Sequence, residues 1–91
     1  MEYIFRVHAT QRMFQRRISQ TEVLHVLKHG ETIEEYPDDQ PYPSKLVLGW
    51  SGSRPLHVVV SENKQEGQLI IITVYEPDHK QWSSDFHRRK K

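Results

Sequence analysis

The run Arg54-Pro-Leu-His-Val-Val-Val-Ser61, followed after a polar link by Leu69-Ile-Ile-Ile-Thr-Val-Tyr-Glu76, decides the fold class of this chain. Both runs are rich in β-branched residues, and Glu62–Gly67 between them has turn composition, so the pair reads as a β-hairpin. One register sets Leu56 opposite Val74, Val58 opposite Ile72 and Val60 opposite Ile70, an apolar face throughout. The same register sets His57 across from Thr73 and Pro55 across from Tyr75 on the other face. A slip of one residue would mix the two faces. The expectation is that helices cover the first face, while His57, Thr73 and Tyr75 line a pocket or groove on the second.

Working upstream, Lys45–Trp50 and Thr32–Tyr36 are further short extended runs. They are separated by the acidic, proline-rich loop Pro37–Pro43, which cannot continue a ladder. No helical crossover separates the four strands, which predicts an antiparallel meander. Before them, Ser19-Gln-Thr-Glu22 is a capping box with Ile18 and Val23 at the staple positions, and Gly30 follows Lys28-His29 as a stop. These signals predict a helix over 20–29. A shorter helix is predicted from His8 to Arg16, and Tyr3–Val7 reads as an edge strand or an extended lead-in. The expected fold is therefore α+β, with two N-terminal helices followed by a four-stranded antiparallel β-meander and a short C-terminal segment. In that segment Trp82 and Phe86 have the spacing to dock on the sheet, and 87–91 reads as a basic, mobile tail.

Length and composition narrow the classes. With 91 residues the chain has room for one core, so residues 1–91 are expected to form a single domain. The absence of cysteine excludes disulfides, thiolate nucleophiles and cysteine-ligated zinc. Neither a signal-peptide core nor a membrane-length apolar run is present. The resulting expectation is a cytoplasmic protein with no membrane partner. The net charge of +1 hides a segregation: residues 1–17 carry +3, residues 18–87 carry −6, and Arg88–Lys91 carry +4. A polyanion would be met by the first helix and the tail. A solvated helix face and a solubilising tail account for the same charges.

The motifs His8-Ala-x-x-Arg12-Met-x-x-Arg16, Ile18-Ser19 with Val23 and Leu27, Gly30-Glu31, Tyr36, Leu48-Gly49, Arg54-Pro-Leu-His57-Val-Val, Thr73-Val-Tyr75-x-Pro77 and Trp82 occur in that order. Taken together they give the chain a resemblance to the family of domain of unknown function 4258, grouped with the RelE-, BrnT- and ParE-like toxins. The resemblance implies a RelE-like fold and a role as the toxin of a type II toxin–antitoxin pair. It also implies a neighbouring antitoxin, often of zinc-finger type. RelE-like and BrnT-like relatives cut RNA, the former on the ribosome, whereas ParE-like relatives poison gyrase. Fold alone does not choose among these.

Metal-independent RNA cleavage needs a base, an acid and cations at the phosphorane, and no cofactor. His8, Arg12 and Arg16 lie four apart on one helical stripe, so the arginines are candidates to bind phosphate and His8 to move a proton. Ordinary ion pairs to Glu34 or Glu35 would explain the same stripe. His57 reads either as a titrating group or as a satisfied structural histidine. Tyr75 reads as a stacking or proton-donating residue or as sheet packing, with Thr73 beside it. The resulting candidates are His8, His57 and Tyr75 for catalysis, and Arg12, Arg16 and Thr73 for substrate binding. His25 and His29 have i, i+4 metal spacing but no evident third ligand, so no metal site is expected. A non-catalytic module for protein or nucleic acid and a gyrase-directed toxin are the competing readings.

Overall fold

A computed structural model describes residues 1–90. Its elements are β1 (Glu2–Phe5), α1 (Val7–Arg16), α2 (Gln20–His29), β2 (Glu31–Tyr36), β3 (Ser44–Ser51), β4 (Arg54–Asn63) and β5 (Gln68–Tyr75). They build one five-stranded sheet of order β1-β5-β4-β3-β2. The expected four-stranded antiparallel meander behind two leading helices is thereby corrected. Residues 2–5 precede the helices and form a fifth strand, which pairs parallel to β5 from Glu2↔Gln68 to Phe5↔Ile71. The sheet is mixed because the chain leaves β1 at one edge, crosses a face through α1 and α2, and enters β2 at the other edge.

Local sequence explains the helices. In α2 the Ser19 hydroxyl accepts from the Glu22 amide over 3.1 Å, and the Glu22 carboxylate accepts from the Ser19 amide over 2.9 Å. This is the reciprocal box its sequence announces. Helix α1 lacks a side-chain cap and closes on Arg17 in the left-handed region, with φ 56° and ψ 47°. Its Ala9 and Met13 face inward, while Val7 and Phe14 are exposed.

The hairpin register differs from the expected one by a β-bulge. β4 and β5 pair His57↔Tyr75, Val58↔Val74 and Val59↔Thr73, then shift to Val60↔Ile71 and Ser61↔Ile70. A bulge puts two residues of one strand against one of the other, so Ile71, rather than Ile70 or Ile72, joins the helix-covered core. His57 still shares its side of the sheet with Thr73 and Tyr75, because the upper register differs from the expected one by two residues and preserves alternation.

Apolar residues cluster on both faces. Between helices and sheet, Ala9, Met13, Ile18, Val23 and Val26 meet Val47, Leu56, Val58, Val60, Ile71 and Val74. On the other face Trp82 and Phe86 pack on Leu46 and Leu48, with Ile33, Tyr36 and Val59 at the margin. The C-terminal segment thus forms a third layer, built from turns and a bridge between Trp82 and Arg89. Arg89 lies 4.6 Å from the Trp82 ring centre and pairs with Glu34, and His87 bonds to Glu31. Of the expected basic tail, Lys91 lies outside the described residues. Among the described residues no helix is long and apolar enough to cross a membrane.

Candidate functional site

The parallel strand β1 is short, and its length creates the site. It accompanies β5 only as far as Ile71, whose carbonyl accepts from the Arg6 amide over 3.1 Å. The chain then turns into α1. Past that point the outer edge of β5 has no strand beside it among the described residues, and α1 lies along the opening. The C-terminal segment leaves β5 at Glu76 and closes the third side. The resulting cavity, of ≈ 400 Å³, is lined by His8, Arg12, Arg16, Thr73, Tyr75, Glu76, Asp78, Gln81 and Trp82.

Five of the six predicted residues line this one cleft. α1 presents His8, Arg12 and Arg16 from successive turns, as their spacing dictates. β5 presents Thr73 and Tyr75 from alternate positions on one face. Arg54 fixes α1 against the sheet: its guanidinium donates to the carbonyls of Arg16 (3.1 Å) and Arg17 (3.3 Å) at the helix C-terminus. The same guanidinium lies 3.0 Å from Glu76 and 3.9 Å from Glu22. A cation favours a helix C-terminus, so the bond also suits the helix dipole.

The sixth predicted residue, His57, does not line the cleft. It is wholly buried, beneath Tyr75 and edge-on to Trp82 at 4.4 Å between ring centres. Its Nε2 lies 2.9 Å from the Phe86 carbonyl oxygen, and its Nδ1 lies 3.2 Å from the Tyr75 hydroxyl. A carbonyl only accepts, so Nε2–H donates to Phe86. In a neutral ring Nδ1 then accepts, and the Tyr75 hydroxyl donates to it. Burial pushes the His57 pKa down to about 4, against a smaller upward pull from the Phe86 bond. Burial pushes the Tyr75 phenol up. At neutral pH the pair is therefore an uncharged tyrosine anchored to a neutral imidazole.

Sequence reasoning missed Glu76, Asp78 and Gln81 as lining residues. Pro77-Asp78 marks the turn out of β5 and is the only local signal for them, and Trp82 is foreseen as a docking residue rather than as a wall. Arg54, which positions α1, belongs to the motif Arg54-Pro-Leu-His57 but carries no structural signal of its own. A larger cavity, of ≈ 630 Å³, lies at the far end of β4, among Tyr42, Lys45, Asn63 and Lys64, and contains none of the predicted residues. His25 and His29 stack at 4.7 Å between ring centres, and among the described residues no three His, Asp or Glu side chains group as metal ligands.

The family model described as Domain of unknown function (DUF4258) matches residues 5–76. The chain belongs to that family. The matched span runs from the end of β1 through β5, so it includes the α1 and β5 residues of the cleft and stops before Asp78, Gln81 and Trp82. No curated protein and no solved structure matches the chain.

Proposed function

We propose that this member of the DUF4258 family is an RNA-directed toxin of a type II toxin–antitoxin pair, and that its cleft cleaves a phosphodiester without a metal ion. One observation carries the reading: His8, Arg12 and Arg16 of α1 line the same cavity as Thr73 and Tyr75 of β5. Two guanidinium groups on one stripe suit bidentate bonds to phosphate oxygens and offset the charge that grows on the phosphorane. His8 takes the 2′-hydroxyl proton as the 2′-oxygen bonds to phosphorus. Tyr75 turns its hydroxyl from His57 to the departing 5′-oxygen and gives it a proton as the P–O5′ bond breaks. The products are a 2′,3′-cyclic phosphate and a 5′-hydroxyl, and exchange with water returns His8 and Tyr75 to their starting protonation. In this scheme His57 is a positioning residue. The protein partner is an adjacent antitoxin, of zinc-finger type by the family resemblance.

The test uses purified chain and RNA in EDTA, alone and with ribosomes. Cleavage with cyclic-phosphate ends, abolished by His8→Ala and strongly reduced by Tyr75→Phe, is the expected result; intact RNA under all conditions removes the enzyme. A non-catalytic binding module is favoured by two other features. His57 is enclosed, which leaves His8 as the imidazole of the cleft, and Glu76 and Asp78 bring carboxylates into it. That reading predicts RNA binding that survives His8→Ala and Tyr75→Phe but fails with Arg12→Ala and Arg16→Ala.

A further inference from the structure

The other edge of the sheet has a second opening. β2 begins its pairing at Glu31↔Leu48, so Gly49, Trp50 and Ser51 continue with β4 on one side and, among the described residues, no strand on the other. Helix α2 closes the space from within, and glycine makes that approach possible. A Cβ on Gly49 would lie 2.8 Å from Val26 Cγ1, and one on Gly30 would lie 2.5 Å from the Leu48 carbonyl oxygen. The notch that results, of ≈ 430 Å³, includes His25, His29, Glu31 and Trp50 in its lining.

Trp50 is an unusual wall for such a notch. It is 44% exposed and belongs to neither apolar cluster. Phe86 meets its ring edge-on at 6.0 Å between centres. His25 and His29 line the notch from the helix side of the sheet edge, whereas Trp50, next to Gly49 in β3, lies on the Phe86 side. Both histidines are exposed, one turn apart, with rings tilted 45° to each other. The Glu31 carboxylate at the rim is already bound to His87.

We infer that this notch is a nucleobase subsite. Trp50 supplies a stacking face at the sheet edge from the Phe86 side, and His25 and His29 supply ring nitrogens for hydrogen bonds from the α2 side. The ligand is one unpaired base of a single-stranded RNA whose backbone lies in the α1–β5 cleft, so the inference rests on the RNA-directed function proposed for that cleft. Exposed aromatic faces bind single-stranded bases with little dependence on sequence. Topology places the two openings at the same end of the sheet, on either side of β5-β4-β3. β3 and β5 both run antiparallel to β4, so Trp50 and Tyr75 stand at the same end of the sheet, on strands roughly 10 Å apart. A single strand crossing that end passes over Phe86 and His79, whose rings lie 4.7 Å apart.

The probe is an end-labelled single-stranded RNA with 2′-O-methyl groups, which block the attacking oxygen and prevent cleavage. Binding is read by anisotropy of the label and, separately, by tryptophan emission. The chain has two tryptophans, and because Trp82 lines the cleft, the signal of Trp50 is the part of the emission change that Trp50→Phe removes. Expected results are quenching of emission on binding, affinity about tenfold weaker in Trp50→Ala, and partial retention in Trp50→Phe. The surface double variant His25→Ala/His29→Ala weakens binding severalfold. That double variant and the loss of quenching in Trp50→Phe decide the matter if Trp50→Ala does not fold. Binding that is weakened by Arg12→Ala and Arg16→Ala, with the same emission change in Trp50→Phe as in wild type and no effect of the notch variants on affinity, overturns the subsite and leaves the RNA-directed function standing. Absence of any binding, with the probe alone and with ribosomes, removes both.

Discussion

Replacing His57 by glutamine should flatten the acid limb of the stability curve. In the folded protein His57 is neutral to about pH 4, whereas its ordinary pKa is 6.5. Its folded value is depressed, so the stability tied to its neutral form is complete above pH 6.5 and is lost as pH falls toward 4. The gap corresponds to about 3 kcal/mol in total, of which about 2 kcal/mol disappears between pH 7 and pH 5. Burial dominates the shift; Phe86 and Glu34 oppose it, and Arg89 and His87 add to it. His87 titrates in the opposite sense. Its bond to Glu31 raises its pKa, so its contribution is present at low pH and lost as pH rises through the raised value. The carboxylates Glu22, Glu34 and Asp85 have lowered values, so their contributions are present above the ordinary carboxylate range and are lost from the acid end of this window downward. Comparing wild type with His57→Gln cancels the terms of groups that do not act on His57, and leaves those of Glu34, Arg89 and His87 only as far as they couple to it. The assay is urea unfolding at pH 7, 6 and 5, with the variant expected to lose about 2 kcal/mol less than wild type over that range. Parallel curves would refute the buried neutral imidazole, and with it the hydrogen-bond order that points the Tyr75 proton inward.

Other perturbations address the layers around the site. Trp82→Ala should cost roughly 3–5 kcal/mol in denaturant unfolding, because the ring is buried against His57 and the cluster of Leu46, Leu48 and Phe86. A cost under about 1 kcal/mol, the range of a surface substitution, would mean that the C-terminal layer contributes little to the fold. Arg17→Gly should raise stability by about 1 kcal/mol, since a non-glycine residue at φ 56° bears a steric cost; a lower melting temperature would contradict this. Gly49→Ala should lower stability by roughly 1–3 kcal/mol by forcing α2 away from β3, and an unchanged urea midpoint would show that the helix yields freely. RNA affinity should fall steeply with salt, and Arg12→Ala with Arg16→Ala should flatten that slope by about 0.7 for each phosphate the variant no longer neutralises; equal slopes would take both arginines off the phosphates.

Short-range chemistry was legible in the sequence because its determinants lie within a few residues of one another. The Ser19–Glu22 box reaches three residues, the α1 stripe repeats every four, and the alternation in β4 has period two. These set the helix starts, placed His8, Arg12 and Arg16 on one line, and put His57, Thr73 and Tyr75 on one face. What tertiary structure alone decided depends on partners far along the chain. β1 pairs with a strand more than sixty residues away, and no local pattern specifies that such a strand is parallel or that it stops at Ile71. Its early end opens the cleft. The bulge that exchanges Ile72 for Ile71 in the core likewise has no signature in a run of three isoleucines. Burial of His57 is the largest change to the site. The imidazole sits in an apolar strand in either reading, and its exclusion from the cleft comes from Trp82 and Phe86 folding back over the sheet. Their packing is favourable only once the sheet exists, so the sequence names the residues that meet and the fold decides which of them face solvent.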